Sequence, residues 1–277
     1  MRLLLAVLLI IPVSGCGSRS FPSPDEMGAA REKEAIKVEG EWGAFFGDKR
    51  AKGCFVIRDL ETKKTRAFNL KRAQTPLLPA STFKIPNTLI ALDLEVVADR
   101  SHVFKWDGKK RNLESWERDH TLDSAFQHSV VPVYQEIARS IGHESMAAYV
   151  KNFGYGNEDI SGGIDRFWLD GSLRISAVEQ VDFLEKLYFE TLPARVWSQR
   201  NVKEIMLHEK TERYVIRAKT GWALRDVDPV GWWVGWVEVD GRAHAFALNI
   251  ELKQMNHAGR RLEIAKSILK SEGLLPD

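Results

Sequence analysis

The sequence predicts a mixed α/β (α+β) fold in which one antiparallel sheet is assembled from both ends of the chain. Strand patterns, rich in β-branched residues or alternating in polarity, occur over residues 53–70 and again over 213–250. Between them, from about residue 80 to 190, apolar residues recur at helical spacing. Since distant strands can bury their apolar faces by sharing a sheet, we expect this middle part to form an inserted helical lobe, with further helices flanking the sheet.

The first residues predict export and a lipid anchor. A basic start, Met1-Arg2, precedes an apolar run from Leu3 to Val13 that is too short to span a bilayer, so residues 1–15 are interpreted as a secretory signal peptide. The run ends in Val13-Ser14-Gly15-Cys16, which resembles the bacterial lipobox, whose cysteine becomes the lipidated first residue. A multiply acylated Cys16 would tether the protein to a membrane surface facing the periplasm. The alternative is a plain signal peptide with an incidental cysteine.

Composition excludes several classes of partner and cofactor. The formal net charge is +2 at pH 7, so nothing indicates nucleic-acid binding. The seven histidines and two cysteines show no metal-ligand spacing, and no metal is expected. Cys54 lies in an apolar run and is interpreted as a buried core thiol.

The N-terminal half of the sheet follows a polar leader. Residues 16–40 are polar and small and are interpreted as the lipidated N-terminus and a tether. The folded domain is placed over 41–277. Its first strands are predicted at Gly53–Asp59 and Thr65–Leu70, joined by a hairpin turn at 61–64.

Caps and glycines mark the later elements. Helices are predicted at Pro132–Ile141 and Ser145–Phe153, each followed by a glycine, and the capping box Ser176-Ala177-Val178-Glu179 opens another. Strand patterns return near the C-terminus, and a helix closes the chain. The predicted bounds are Arg213–Ala218, Gly231–Val239 and Arg242–Ile250 for the strands, with a turn at Asp240-Gly241, and Arg260–Lys270 for the helix.

The segment Ser81-Thr82-Phe83-Lys84 carries the clearest chemical pattern. The helical spacing of Leu89, Leu92 and Val96 predicts that a helix starts at or near Ser81, where backbone N–H groups lack partners. Lys84 lies one turn later on the same face, so the pair resembles a nucleophile and its base. The same spacing recurs at Ser267-Ile268-Leu269-Lys270 in the terminal helix, so spacing alone does not identify the site.

Three further motifs follow in order: Ser129-Val130-Val131, Tyr155-Gly156-Asn157 and Lys219-Thr220-Gly221. Serine β-lactamases and penicillin-binding proteins combine S-x-x-K with K-T-G. With S-x-V as the second motif and Y-G-N after it, the chain resembles the class D (oxacillinase-type) β-lactamases from about residue 40 to its end. The runs 167–176 and 231–236 resemble two further segments of that family. The resemblance implies a β-lactamase/transpeptidase-like catalytic domain over 41–277.

The state of Lys84 is the central expectation. Apolar neighbours would lower the pKa of its amine by disfavouring the ammonium form. These expected neighbours are Phe83, Val131, Trp168 and Leu169. The resemblance implies further that Lys84 reacts with carbon dioxide to become N6-carboxylysine, which the Trp168 indole holds. Val131 and Leu169 would shield this carbamate, and no cofactor other than carbon dioxide is expected.

Substrate contacts are expected at the other motifs. The resemblance assigns Ser129 to relay a proton to the departing nitrogen, whereas the residue taken alone would be a helix cap. Lys219 and Thr220 offer a cation and a hydroxyl to a substrate carboxylate, and Gly221 permits close backbone approach. The Tyr155-Gly156-Asn157 motif supports the family resemblance without an assigned catalytic role.

Two more groups complete the implied site. By family analogy the N–H groups of Ser81 and Trp222 form the oxyanion hole. Arg261 matches the family's carboxylate-binding arginine, with Arg260 as the neighbour that could be mistaken for it.

The expected function is hydrolysis of the β-lactam amide bond of penicillin-type antibiotics, which are small-molecule substrates. One alternative is a penicillin-binding transpeptidase or carboxypeptidase, whose second motif usually has Asn where Val131 stands. Another is a non-hydrolytic β-lactam sensor domain. The sequence sets neither the substrate spectrum nor the oligomeric state.

Overall fold

A computed structural model describes residues 35–47, 52–111, 113–224, 229–254 and 257–276. The predicted signal peptide, Cys16 and most of the predicted tether therefore lie outside the described residues. Within these ranges no helix combines the length and the apolar character needed to cross a membrane.

The strands of the described residues form one large and one small sheet. Their bounds are β1 Lys37–Val38, β2 Gly53–Asp59, β3 Thr65–Phe68, β4 Val103–Phe104, β5 His120–Thr121, β6 Leu207–Lys210, β7 Tyr214–Ala223, β8 Val230–Val239 and β9 Arg242–Glu251. The large sheet has seven strands in the order β1-β3-β2-β9-β8-β7-β6, and β4 pairs with β5 alone. Strands from the two ends of the chain meet where β2 pairs with β9, which confirms the predicted sheet.

One pairing departs from the predicted antiparallel sheet. β1 runs parallel to β3, with Lys37 opposite Arg66, whereas the other pairings are antiparallel. Lys37 and Val38 thus join the sheet edge, although the sequence placed them in the tether. A strand of two residues, both exposed at the sheet edge, is too short to give an alternating pattern in the sequence.

Nine α-helices lie in the described part of the chain. They are α1 Gly43–Phe46, α2 Leu70–Ala73, α3 Lys84–Asp93, α4 Leu122–Gln127, α5 Val131–Ile141, α6 His143–Phe153, α7 Ala177–Tyr188, α8 Val196–Ile205 and α9 Arg260–Ser271. The capping box at the start of α7 is present, with both the Ser176 and Glu179 side chains engaged. α3 ends at Asp93, so Val96 lies beyond the helix in which its spacing placed it.

Both faces of the large sheet are covered. Along β2, Cys54 and Val56 face one core, and Phe55 and Ile57 face the other, as the two-residue repeat of a strand requires. We call the first the lobe-side core, which holds α3, α5, α6 and α7, and the second the back core, which holds α9. Cys54 is fully buried, and burial raises the pKa of its thiol to about 12. This double burial explains why β2 is a continuous apolar run.

The turn between β8 and β9 is as short as predicted. Val239 pairs with Arg242, and the two residues between them, Asp240 and Gly241, have φ of 50° and 74°. Two positive φ values in a two-residue loop match the right-handed twist of the strands it joins.

Candidate active site

Ser81 lies in a tight turn directly before α3. Residues Ala80–Phe83 form a 3₁₀ turn, and the regular helix begins at Lys84. The Thr82 hydroxyl stabilises the turn by donating to the Pro79 carbonyl at 2.8 Å. Ser81 thus stands near the helix start, as predicted, and the residue is only partly buried.

The backbone is strained at two positions of this site. Ala80, directly before Ser81, has φ of 49°, and Ser129 has φ of 54°. A side chain other than glycine adopts this left-handed region at a cost of about 1 kcal/mol or more. The surrounding packing maintains both conformations, which set the directions of the two serine hydroxyls.

Lys84 is a buried amine beside the Ser81 hydroxyl. Its side chain is 0% exposed, and Nζ lies 3.3 Å from Ser81 Oγ. The Tyr134 ring centroid lies 4.7 Å from the same nitrogen. Among the described residues Lys84 forms no ion pair. Burial, and then the charge of Lys219, hold its pKa well below the ordinary value, which is the direction that the sequence predicts.

Lys219 is the second buried amine of the site. It is 4% exposed, and its Nζ donates to Ser129 Oγ at 2.5 Å and to the Thr220 carbonyl at 3.1 Å. Burial, followed by the charge of Arg261, lowers the pKa of Lys219 to about 7. Its amine therefore changes charge near neutral pH and can exchange a proton with the Ser129 hydroxyl.

Ser129 does not cap α5, which corrects one interpretation of the sequence. The N-cap residue is Val130, and no side chain caps the helix. Because the backbone of Ser129 is left-handed, its hydroxyl is directed to Lys219 instead of the helix N–H groups. Val131 is the first residue of α5 and is partly buried.

The Lys219-Thr220-Gly221 segment lies inside β7, close to its end. A Cβ at Gly221 would stand 2.9 Å from the Pro79 carbonyl and 3.0 Å from Thr82 Cγ2. The strand therefore contacts the turn that carries Ser81, and a side chain at this position would push the two apart. Trp222 follows in β7, and its indole donates to the Leu252 carbonyl at 2.8 Å.

The two neighbouring arginines at the start of α9 point to different places. Arg261 Nη1 donates to the Gly221 carbonyl at 2.7 Å, and Nε donates to the Ala258 carbonyl at 2.9 Å. Arg260 instead reaches the Phe46 carbonyl at 3.5 Å. Burial lowers the pKa of Arg261 to about 10. Arg261, and not Arg260, therefore contacts the Lys219-Thr220-Gly221 segment, and its role as the carboxylate-binding arginine stays a prediction.

Trp168 lies in the segment 163–175, between α6 and α7, with Leu169 partly buried beside it. Its ring stacks on Phe83, which precedes Lys84, with centroids 5.5 Å apart and planes 23° apart. The side chain is fully buried, yet its Nε1 has no hydrogen-bond partner within the described ranges. An indole nitrogen only donates, so this buried N–H fits an acceptor oxygen placed beside it.

Sequence reasoning missed three side chains of the site. Tyr134 follows Val131 by three residues, so the helical repeat could have placed it on the same face of α5. Thr82 and Gln180 form a buried bond, in which Gln180 Nε2 donates to Thr82 Oγ1 at 2.9 Å. Their separation of 98 residues left no local signal.

No cluster of three or more His, Cys, Asp or Glu side chains suited to a metal ion occurs in the described part of the chain. The described site brings together two buried amines, two hydroxyls, an indole and a guanidinium. Such a set suits attack by a serine on an acyl group that carries a nearby carboxylate.

Comparison with known proteins agrees with this geometry. The family profile for the penicillin binding protein transpeptidase domain matches residues 53–270. Beta-lactamase OXA-48 of Klebsiella pneumoniae is 50% identical over 235 residues, which are 85% of this chain and 89% of the relative. Beta-lactamase OXA-10 of Pseudomonas aeruginosa is 44% identical over 244 residues, which are 87% of this chain and 92% of the relative.

Solved structures show the same similarity. The class D β-lactamase YbXI from Nostoc has a TM-score of 0.83 and 39% identity, and the match covers 86% of this chain and 100% of that one. FUS-1 (OXA-85), a class D β-lactamase from Fusobacterium nucleatum subsp. polymorphum, has a TM-score of 0.83 and 37% identity over the same shares. These relationships confirm the family expected from the motifs. The chain belongs to the class D β-lactamases.

Proposed function

We propose that the protein hydrolyses the amide bond of β-lactam antibiotics through a Ser81 acyl-enzyme, with carbamylated Lys84 as the general base. The observation that carries this proposal concerns two buried nitrogen groups of the described site: an amine without an ion pair and an indole N–H without a hydrogen-bond partner. Lys84 is a fully buried amine 3.3 Å from the Ser81 hydroxyl, and the N–H of Trp168, whose ring stacks on the adjacent Phe83, has no partner among the described residues.

The two groups fit a carbamate on Lys84. A lowered pKa leaves the amine neutral, which is the form that reacts with carbon dioxide. The carbamate would supply an anionic oxygen base beside Ser81 that also accepts the Trp168 N–H. A buried anion requires such charge-assisted hydrogen bonding. Val131 and Leu169 would shield this centre and limit the access of water.

Acylation then uses groups already in contact. Ser81 loses its proton to the base and attacks the β-lactam carbonyl, while the N–H groups of Ser81 and Trp222 stabilise the oxyanion. Each donor of this kind contributes about 3 to 4 kcal/mol to the transition state. As the C–N bond breaks, Ser129 donates its proton to the nitrogen, and Lys219 at 2.5 Å resupplies that proton.

The substrate carboxylate has a matching site. Lys219, Thr220 and Arg261 would provide a cation, a hydroxyl and a guanidinium around the β7 strand. Protonated Lys219 and Arg261 repel each other in the unliganded protein, since the charge of Arg261 helps to lower the pKa of Lys219. A bound carboxylate would relieve this repulsion, which favours anionic substrates.

Deacylation distinguishes the proposal from the two alternatives. Transpeptidases and β-lactam sensors share the acylation groups but release the acyl group slowly. Here the same base would activate the hydrolytic water, and the family membership of the chain supports turnover.

The deciding experiment follows turnover of a chromogenic cephalosporin with and without added bicarbonate, together with mass spectrometry of the protein. We expect sustained hydrolysis that bicarbonate stimulates and a transient acyl adduct on Ser81. Stoichiometric acylation without turnover would instead favour a sensor or a penicillin-binding protein. Full turnover that ignores bicarbonate would remove the proposed role of Lys84 and leave Ser81 intact.

The proposal includes export and attachment to a membrane surface facing the periplasm. Residues 1–15 would be removed, and Cys16 would carry the lipid. Mass spectrometry of the mature protein and of a Cys16→Ser variant tests this point. A wild-type N-terminus without a lipid would show that the signal peptide is of the plain kind.

A further inference from the structure

The Tyr155-Gly156-Asn157 motif has no part in the proposed chemistry, but it binds the segment that follows Trp168. The Asn157 backbone N–H donates to the Arg174 carbonyl at 2.9 Å. In return the Arg174 backbone N–H donates to Asn157 Oδ1 at 2.9 Å, and Asn157 Nδ2 donates to the Ser172 carbonyl at 3.0 Å. One asparagine thus holds both ends of the stretch 172–174.

Gly156 packs tightly against the same stretch. Its φ is +59°, and a Cβ there would lie 2.0 Å from the Arg174 carbonyl oxygen and 3.0 Å from Ile175 Cβ. Both the backbone conformation and the close approach require glycine at this position. The motif and the stretch 172–174 therefore cannot shift independently by more than a small distance.

The motif also contacts the nucleophile side of the site. The buried Tyr155 ring packs edge-on against Phe83, with centroids 5.6 Å apart and planes 74° apart. Phe83 is the residue that stacks on Trp168 and precedes Lys84. Tyr155 therefore fixes the motif relative to the residues that present the amine.

The end of the Trp168 segment contacts its centre. The Leu173 N–H donates to the Phe167 carbonyl at 3.2 Å. A Cβ at Gly171 would lie 2.5 Å from Phe167 Cα, so the segment closes tightly on itself. The backbone of residues 171–173 is thus in direct contact with the backbone of Phe167, next to Trp168.

We propose that Asn157 and Gly156 are positioning residues that hold the Trp168 indole N–H in place and thereby set the affinity of Lys84 for carbon dioxide. This inference rests on the proposed function. In the carbamylation step the Nζ lone pair forms a bond to the carbon of carbon dioxide, one C=O π pair moves to oxygen, and a proton leaves nitrogen for water. If the indole is correctly placed for only a fraction of the time, the apparent affinity for carbon dioxide falls by that fraction.

The test is titration of the full-length protein with ¹³C-bicarbonate, with the carbamate carbon quantified by NMR. Asn157→Ala should need about tenfold more bicarbonate for half-carbamylation, the factor given by 1.4 kcal/mol. Asn157→Asp keeps the acceptor for the Arg174 N–H but loses the donor to Ser172, so an intermediate shift is expected. Asn201→Ala is the matched control, because Asn201 donates to the Trp197 carbonyl at 2.9 Å within α8 and has no hydrogen bond to the Trp168 segment in the described part of the chain.

If Asn157 had only a structural role, added bicarbonate would not restore the kcat of the variant. We expect the kcat of Asn157→Ala to return to the wild-type value at saturating bicarbonate. Half-carbamylation at the wild-type bicarbonate concentration, or a kcat that saturating bicarbonate leaves low, overturns the inference. Asn157 is exposed, so this variant keeps the core intact.

Gly156→Ala provides a second, stronger change, provided that circular dichroism shows a folded protein. It should shift the titration further in the same direction, and a wild-type titration of this folded variant contradicts the inference. Failure of the proposed function has a different signature. In that case the wild-type protein itself shows no carbamate signal.

Discussion

The chain contains two Ser-x-x-Lys segments, and their surroundings differ in every respect that matters for chemistry. Ser81–Lys84 spans the junction of a 3₁₀ turn and α3, and Lys84 is fully buried. Ser267–Lys270 lies within the regular helix α9, with Ser267 partly buried and Lys270 exposed. The two intervening residues are buried in both segments: Thr82 and Phe83 in the first, and Ile268 and Leu269 in the second, where they fill the back core.

The difference shows that equal spacing gives unequal chemistry. An exposed lysine is a solvated ammonium ion that cannot act as a base, whereas burial beside Lys219 favours the neutral amine at Lys84. A serine inside a helix has its backbone N–H committed to the helix, whereas the turn at Ser81 leaves that group available. Burial and backbone conformation, not spacing, separate the two segments.

The largest effect is expected when the lysine of each segment is removed. Lys84→Ala should lower kcat for a chromogenic cephalosporin by about 10²- to 10⁴-fold, because it removes the proposed general base. Lys270→Ala should retain the wild-type kcat. If the kcat of Lys84→Ala stays within tenfold of the wild-type value, the buried Lys84 amine is not the general base.

The next largest effect is expected at Trp168, whose indole N–H we propose to bind the carbamate on Lys84. Trp168→Phe keeps an aromatic ring on Phe83 but removes the buried N–H donor. Since a hydrogen bond to a charged group is worth about 1.5 to 3 kcal/mol, the bicarbonate concentration for half-maximal activity should rise about 10- to 100-fold. An unchanged bicarbonate requirement would show that the Trp168 N–H does not stabilise the carbamate on Lys84.

A smaller effect should appear in the pH dependence of stability. The pKa of Lys219 is lowered from 10.5 to about 7 by burial and then by Arg261. Below pH 7 the folded protein carries a buried ammonium ion, which weakens the fold. From about pH 7 to 10.5 only the unfolded chain keeps the proton, so the folded state gains stability as the pH rises.

Lys219→Met removes this dependence. The stability advantage of the variant over wild type, measured by urea unfolding, should shrink by about 1 to 2 kcal/mol between pH 6 and pH 8.5. The corresponding Lys270→Met difference should stay constant over the same range. An advantage of Lys219→Met that does not change with pH would mean that Lys219 is not a titrating buried amine.

The smallest effect is expected at the serine of the second segment. Ser267→Ala should change the free energy of unfolding by no more than about 0.5 kcal/mol and leave kcat unaltered, as for a helical position without a special role. Ser81→Ala in the same assay should abolish acylation. A loss of activity in Ser267→Ala would break the comparison between the two segments.

The sequence could predict what local patterns encode. The strand β2, the Asp240-Gly241 turn and the Ser176 capping box depend on residues close together in the chain. The order of the site motifs also follows from short patterns. At these positions the local conformational propensity of the residues and their tertiary contacts favour the same structure.

The remainder depends on contacts between distant segments. Lys219 and Ser129 meet across 90 residues, and this contact, not a helix cap, explains the direction of the Ser129 hydroxyl. The strand β6, Leu207–Lys210, is mostly exposed and carries no apolar alternation, so only its pairing with β7 defines it. The connection from Asn157 to the Trp168 segment likewise has no signature in the motif itself.

The burial of Cys54 has a practical consequence for observing the enzyme at work. The chain has two cysteines, and the Cys54 thiol, with its pKa raised to about 12, is poorly reactive toward alkylating reagents. In a Cys16→Ser background, a cysteine introduced by Ser172→Cys would therefore react selectively with a fluorescent label. Such a probe would report whether the surroundings of the Trp168 segment change when a substrate binds, without removal of any native core residue.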